Sequence, residues 1–456
     1  MIRKGRALCL AALATLALVG KSPPPHAFAQ EEPGRPNVLI IVTDDQREGL
    51  EVMPSTVRHF VDGGRTYPNA YATTPQCCPS RASILTGRYV HNHPVKNNAL
   101  GREIDPQTTL PYYLHLAGYR TALFGKFVNR WGGRPPPYFD QWVTLLGQGR
   151  YTNAVYNVHG DYRDLPGYST KVLGGRAVDF LWNAEAHFDE QPWMIVFTPA
   201  APHAPYQPER KYERAEVGVW RGNPAVYEYR TDEGKADKPE FLQSAARGPA
   251  KHVRKGQLRT LISVDDVVAR LFRTMDGLEE DNTIAIFISD NGITWGEHGW
   301  VDKAIPHTYS VRVPLLLRWP GHVTGGTMDD RLAATIDVTP TVLAAAGIAP
   351  EGASFDGRSL LDETWRRKEI LLEFFGPENT KRVPPWASLR ATDHQYVEYY
   401  SPEGAVTFRE YYDLARDPWQ LHNLYGDDDP ANDPVDGAEL HERLAGARSC
   451  TGAACP

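Results

Sequence analysis

Long apolar runs are missing from this chain after its first twenty residues, which excludes a bundle of membrane-spanning helices, each needing roughly 20 consecutive apolar residues. Low-complexity tracts are missing too, and nothing repeats at a fixed period. Basic charge is in deficit: 49 Lys and Arg stand against 56 Asp and Glu, a net charge of -7, which speaks against bulk nucleic-acid or anionic-membrane binding. Cysteine is scarce, at five in 456 residues.

At the start of the chain Arg3, Lys4 and Arg6 precede the apolar run Ala7 to Gly20, and Ala27-Phe28-Ala29 supplies small residues before Gln30. The run is too short for a membrane anchor, so residues 1–29 are expected to be a cleaved signal peptide. The mature protein is then exported, extracellular or periplasmic, with no membrane span. Its length suggests a large domain over residues 30–349 and a smaller one over residues 350–456. Cys9 leaves with the leader. Cys450 and Cys455 enclose four residues and read as a small disulfide loop in an exported protein, whereas the adjacent Cys77 and Cys78 need a chemical explanation.

Short, continuously apolar runs mark buried strands at Val38 to Val42, Thr121 to Phe124, Trp193 to Phe197 and Thr283 to Ile288. Leu258 to Met275 has apolar positions at helical spacing. This alternation predicts an α/β fold: a large, mostly parallel sheet with helices on both faces. Ligands of such sheets bind beyond the carboxyl ends of the strands, and these four strands end in Asp44-Asp45, Lys126, His203 and Asp290-Asn291. After Val313 to Leu317 and a helix-like Pro340 to Ala346, a Gly/Pro-rich segment from Ile348 to Gly357 marks the boundary. Beyond it, alternating runs at Ile370 to Phe375, Gln395 to Tyr400 and Ala405 to Tyr412 predict a smaller α+β domain with an antiparallel sheet. Residues 131–137 and 208–255 read as long surface loops.

Cys77-Cys78-Pro79-Ser80-Arg81 opens a helix-like word that closes on Leu85-Thr86-Gly87, with Pro79 fitting the first turn and Gly87 the C-terminal stop. Cys77 then lies at a helix N-terminus, where free N–H groups and the dipole favour anions. A cysteine is ordinarily a buried structural thiol. Here, however, the run resembles the signature of the formylglycine-dependent sulfatases, CxPSRxxxLTG, at every fixed position, which implies an alkaline phosphatase-like fold. In that family the first cysteine becomes formylglycine, whose hydrated aldehyde attacks sulfur, expels the alcohol and then releases sulfate. The resemblance makes Cys77 the modified residue and implies a formylglycine-generating enzyme as maturation partner.

Asp44, Asp45, Asp290 and Asn291 offer only oxygen, the donor type of calcium or magnesium rather than zinc. Singly, an Asp-Asp pair is more often a solvated turn; the resemblance assigns all four, with the modified Cys77, to one calcium ion. It also assigns Lys126, His203 and Lys303 to sulfate, one of the last two as general acid, and Arg81 to holding the formylglycine and the carboxylates. Two departures matter. Val128, followed by Asn129, stands where many sulfatases have a histidine, and His307-Thr308 replaces an aromatic-Glu pair, a change touching the pocket wall or its support.

The words Tyr89-Val90-His91-Asn92-His93, Gly125 to Asn129, Ala201 to Pro205 and Ser263 to Asp266 resemble the N-acetylglucosamine-6-sulfatase group, the likeness running from Pro36 to Leu444. It implies a sulfated sugar or other sulfated small molecule as substrate, with Asn129, His91 and His93 as candidate contacts. The alternatives are a formylglycine-dependent phosphonate or phosphate ester hydrolase and an inactive protein that binds sulfated glycans.

Overall fold

The computed structural model describes residues 34–188, 190–227, 233–245, 248–376, 383–425, 427, 429–434 and 437–456. The expected signal peptide lies outside them, and residues 35–456 form one compact unit. Its strands are β1 (Asn37–Thr43), β2 (Arg65–Thr66), β3 (Ala70–Tyr71), β4 (Arg120–Gly125), β5 (Gln141–Leu145), β6 (Thr152–Val158), β7 (Asp161–Tyr168), β8 (Trp193–Thr198), β9 (Thr283–Ser289), β10 (Leu315–Arg318), β11 (Thr327–Met328), β12 (Ala333–Ala334), β13 (Ile370–Phe374), β14 (Trp386–Arg390), β15 (His394–Tyr400) and β16 (Val406–Asp413).

The four apolar runs sit side by side. The large sheet has the order β11-β2-β10-β9-β1-β8-β4-β5-β6-β7, and its centre, from β9 to β5, is parallel. Alternation along each strand feeds two separate cores. Val38, Ile40, Val42, Val196 and Ile286 face one layer with the helices Leu110–Leu116 and Val338–Ala345, while Leu39, Ile41, Phe197 and Phe287 face the helices Ser169–Phe188 and Lys251–Gly277. Burial on both faces is why these strands read as unbroken apolar runs.

Antiparallel strands frame this centre: β10 against β9 on one side, β6 and β7 beyond β5 on the other. The β6–β7 hairpin turns at His159 and Gly160, both with positive φ, a geometry that matches strand twist. The supposed loop 208–255 contains helical turns at Pro224–Tyr227, Glu233–Ala236 and Glu240–Gln243. The long helix begins at Lys251 rather than Leu258; its first turns carry Lys251, His252, Arg254 and Lys255, so its apolar period starts late.

The second sheet, β13-β14-β15-β16, is antiparallel throughout. It includes β14, which the sequence reading passed over, and shares an apolar cluster with Tyr71, Tyr89, Ile305 and Val311. The Gly/Pro-rich segment folds back on the chain, Asp356 N and Gly357 N both donating to Gly87 O at 2.9 and 3.1 Å. Cys450 and Cys455 form the expected disulfide.

Two predictions follow from this packing. A Cβ at Gly174 would lie 2.5 and 2.6 Å from the Val267 methyls, whereas one at Gly175 meets nothing within 4 Å. Gly174→Ala should therefore cost ~1–3 kcal/mol and lower Tm, while Gly175→Ala should raise it, as seen by calorimetry. Glu410, fully buried, accepts from Tyr399 Oη and Tyr412 Oη at 2.8 Å each, and burial pushes its carboxyl up to about 7. A raised carboxyl stabilises the fold while protonated, and that contribution is lost as pH rises through about 7. The wild-type Tm should fall more steeply than that of Glu410→Gln between pH 6 and 8.

Candidate active site and cation site

Neighbouring parallel strands bring their carboxyl ends to one edge. There β1 runs into Asp44-Asp45, β4 into Lys126, β8 toward His203 and β9 into Asp290-Asn291. The turns are tight. Asp45 has φ 69, a left-handed conformation that Asp tolerates better than most residues. Gly125 has φ 131, and a Cβ on it would lie 1.9 Å from Thr198 O, so only glycine can precede Lys126 here.

Against this edge stands the helix Cys77–Thr86, with Gln76 extended as N-cap and Gly87 left-handed as C-cap. Cys77 is its first residue and is 1 % exposed. One turn on, Ser80 Oγ donates to Asp290 O, and Arg81 makes three contacts: Nε to Asp290 Oδ2 at 2.9 Å, Nη1 to Lys126 O at 2.8 Å, and Nη2 at 3.5 Å from Asp44 Oδ2. One guanidinium thus ties together the ends of β1, β4 and β9.

Around Cys77 the charges interleave. Asp44 Oδ1 lies 3.4 Å from its Sγ, and Lys303 Nζ lies 2.6 Å from Sγ while also donating to Asp45 Oδ1. Lys126 Nζ donates to Asp44 Oδ2 at 2.6 Å and to Gln148 Oε1 at 2.8 Å. Burial alone would raise the Asp44 carboxyl, but Lys126, His203, Arg81 and Lys303 hold it far below the usual range. For Asp290, burial and the neighbouring Asp44 win and push it up. Burial opposes the charge on Lys126 and Lys303, yet the adjacent Asp44 and Asp45 respectively carry each above its ordinary value. The Cys77 thiol is driven well up by burial and then by Asp44.

Oxygens of Asp44, Asp45 and Asp290, with Cys77 Sγ, lie within 4.8 Å of one another. Asn291 Nδ2 is engaged by Asp45 Oδ1 at 2.6 Å and Gly292 O at 2.8 Å, which leaves its buried Oδ1 without a hydrogen-bond partner. A buried orphan acceptor beside three carboxylates is what a hard divalent cation satisfies, so these residues fit calcium or magnesium.

His203 stands at the rim, its Nδ1 donating to Ala204 O at 2.8 Å and its Nε2 3.7 Å from Asp45 Oδ2. Asn129 is buried beside Gly101, its Oδ1 unpartnered. His93 holds Ser83 of the Cys77 helix at 3.0 Å, and His91 pairs with Glu373 of β13 at 3.0 Å. Val128 lies in the core, and His307 and Thr308 are buried against Tyr412 and Gln420. The sequence reading missed Gln148, Ser80 and Gln257, whose Nε2 donates to Asp45 O at 3.1 Å. Ser80 is a fixed position of the signature and could have been found; the two glutamines carry no local pattern.

Comparisons with known proteins place the chain in a family and a fold. A family model described as Sulfatase matches residues 36–348, and one described as N-sulphoglucosamine sulphohydrolase, C-terminal, matches residues 296–449. The extracellular sulfatase SULF-1 homolog of Drosophila melanogaster is 33 % identical over 72 % of this chain, which spans only 31 % of that protein. The N-acetylglucosamine-6-sulfatase of Homo sapiens is 29 % identical over 92 % of the chain and 86 % of its own length. A solved structure in complex with its substrate D-glucosamine-2-N,6-O-disulfate shares the fold at TM-score 0.73 and 24 % identity, covering 90 % of this chain and 97 % of its own.

A cation held by this donor set predicts linkage to folding. Calcium added to chelator-treated protein should raise Tm, by the equivalent of about 2.7 kcal/mol at a hundredfold excess over its Kd. Asn291→Leu should shrink the shift; a Tm indifferent to calcium and magnesium alike would remove the site.

Proposed function

The chain belongs to the sulfatase family, and from that premise we propose that it hydrolyses sulfate monoesters on a sulfated sugar, with a formylglycine made from Cys77 and a bound calcium ion. The observation that carries the reading is the setting of Cys77: first residue of its helix, against Asp44 and under Lys303, with Lys126 on the far side of Asp44. The sugar rests on the relatives, among them N-acetylglucosamine-6-sulfatases of goat and man.

When present, the formylglycine would supply an oxygen nucleophile in place of the thiol, and a bound calcium ion would supply positive charge to offset that of the sulfate. Asp44, Asp45, Asp290 and Asn291 would hold the cation, and Arg81 fixes two of those carboxylates. Lys126 and Lys303 draw the sulfate oxygens to the nucleophile and offset their charge in a site largely closed to water. Asp44 Oδ1, 3.4 Å from Cys77 Sγ, accepts a hydrogen bond from the attacking group and orients it. His203 turns Nε2 toward the cluster and protonates the leaving sugar oxygen, a role worth roughly 100- to 10,000-fold. Asn129 contributes to the sugar side of the pocket.

Export through the N-terminal leader, maturation by a formylglycine-generating enzyme, and a division into catalytic (30–349) and C-terminal (350–456) regions complete the proposal. No helix among the described residues is long and apolar enough to cross a membrane.

Two measurements test it. The mass of the peptide carrying Cys77, from protein made in its native host, should show loss of sulfur and gain of a carbonyl oxygen. Turnover of 4-nitrophenyl sulfate should exceed that of 4-nitrophenyl phosphate and disappear in Cys77→Ala, while His203→Ala should lose roughly 100- to 10,000-fold on a sulfated sugar. An intact thiol, or a preference for the phosphate ester, would reject the reading.

A further inference from the structure

We propose that Gln148 is a positioning residue that sets the direction of the Lys126 ammonium within the site. The inference rests on the sulfatase reading given above. Lys126 is 2 % exposed, and its Nζ meets two acceptors from different elements: the Asp44 carboxylate at 2.6 Å and the Gln148 amide oxygen at 2.8 Å. Two acceptors fixed in space leave the remaining N–H of an ammonium a single direction, which one acceptor cannot do.

The backbone explains why Gln148 is there. β5 pairs in parallel with β4, with Gly125 opposite Thr144, so the loop after β5 leaves the sheet at the edge where Lys126 leaves β4. Gly147 and Gly149 on either side of Gln148 have φ 61 and 82, left-handed values that favour glycine. At Gly149 a Cβ would also crowd Leu145 at 2.9 Å. A loop of this shape turns its central residue back toward the sheet edge, and Gln148 reaches Lys126 across it.

The chemistry of the acceptor matters as much as its place. Asp44 already offsets one unit of charge on Lys126. A second carboxylate would cancel the attraction of the ammonium for a sulfate oxygen, whereas an amide oxygen orients the ammonium and leaves its charge intact. Glutamine is therefore the side chain that aims without neutralising.

The test uses the matured, calcium-loaded enzyme with 4-nitrophenyl sulfate and N-acetylglucosamine 6-sulfate, and inorganic sulfate as inhibitor. Gln148→Met, similar in length but without the acceptor, should lower kcat about 10- to 100-fold, with KM and Tm little changed. Gln148→Glu restores an acceptor of the right length but adds charge; it should lower kcat further and weaken inhibition by sulfate roughly tenfold, as expected for lost oxyanion attraction. A role confined to holding the loop predicts that both variants lose activity together with Tm, and that result would overturn the proposal, as would a Gln148→Met enzyme equal to wild type. If the wild type hydrolyses no sulfate ester, the functional reading falls and this role with it.

Discussion

The crowding of three carboxylates in a closed pocket governs this site. Asp44, Asp45 and Asp290 are buried, and like charges in such a place repel strongly because little water screens them. The fold answers with cations of fixed origin: Arg81 from the Cys77 helix, Lys126 from the end of β4, and Lys303 from the loop after β9. Arg81 and Lys126 are buried charges that would be costly alone, and Lys303 is partly buried. The carboxylates and cations thus require one another, and the sheet edge cannot be rebuilt one residue at a time. On the proposed function, a divalent ion would add to this balance on the carboxylate side, and a sulfate group on the cationic side.

Lys303 depends on the second sheet as well as the first. Its loop carries Trp300, whose Nε1 donates to Lys303 O at 2.9 Å, and Ala304, whose carbonyl accepts from Trp386 of β14 at 2.8 Å. A few residues on, Thr308 is held by Gln420 and Arg390, and Arg390 also reaches Tyr71 at 2.9 Å. Where related enzymes place an aromatic-Glu pair, His307 instead packs against His298 at 4.0 Å between centroids and bonds Tyr412 at 3.3 Å. Burial keeps both imidazoles neutral, so this support carries no charge of its own into the site. The C-terminal sheet therefore supports the Lys303 loop through Trp386 and, a few residues on, through Arg390 and Tyr412.

What could be read from the sequence tracks how far each signal extends along the chain. The central strands were legible because burial on both faces writes an unbroken apolar run, and the chemistry at their ends was legible because parallel strands share an edge. β6 and β7 were not: β7 is largely exposed, and its polar pattern resembles that of a loop. The start of the helix at Lys251 was hidden for the same reason, since its solvated face carries the charge. Gln148 was out of reach because its meaning lies in a lysine 22 residues earlier that only strand pairing brings near. Sequence reading finds groups fixed by a local word; it misses those that act through a partner on another strand.

The environment of Cys77 bears on the proposed conversion of its thiol to an oxygen nucleophile. A cysteine nucleophile acts as thiolate, and sites that use it supply positive potential and some access to solvent. Here burial and Asp44 drive the thiol the other way, and the carboxylates responsible are the ones that suit a cation. Lys303 at 2.6 Å and Lys126 oppose that shift without reversing it. An oxygen nucleophile built on the same carbon avoids that conflict, because it can be held close to a hard cation that has little affinity for sulfur relative to oxygen. On the proposed function, the acidic cluster and a modified Cys77 would answer one constraint. The near-complete burial of Cys77 adds a second consequence: a modifying enzyme would reach it before the helix Cys77–Thr86 closes onto the sheet edge, not after.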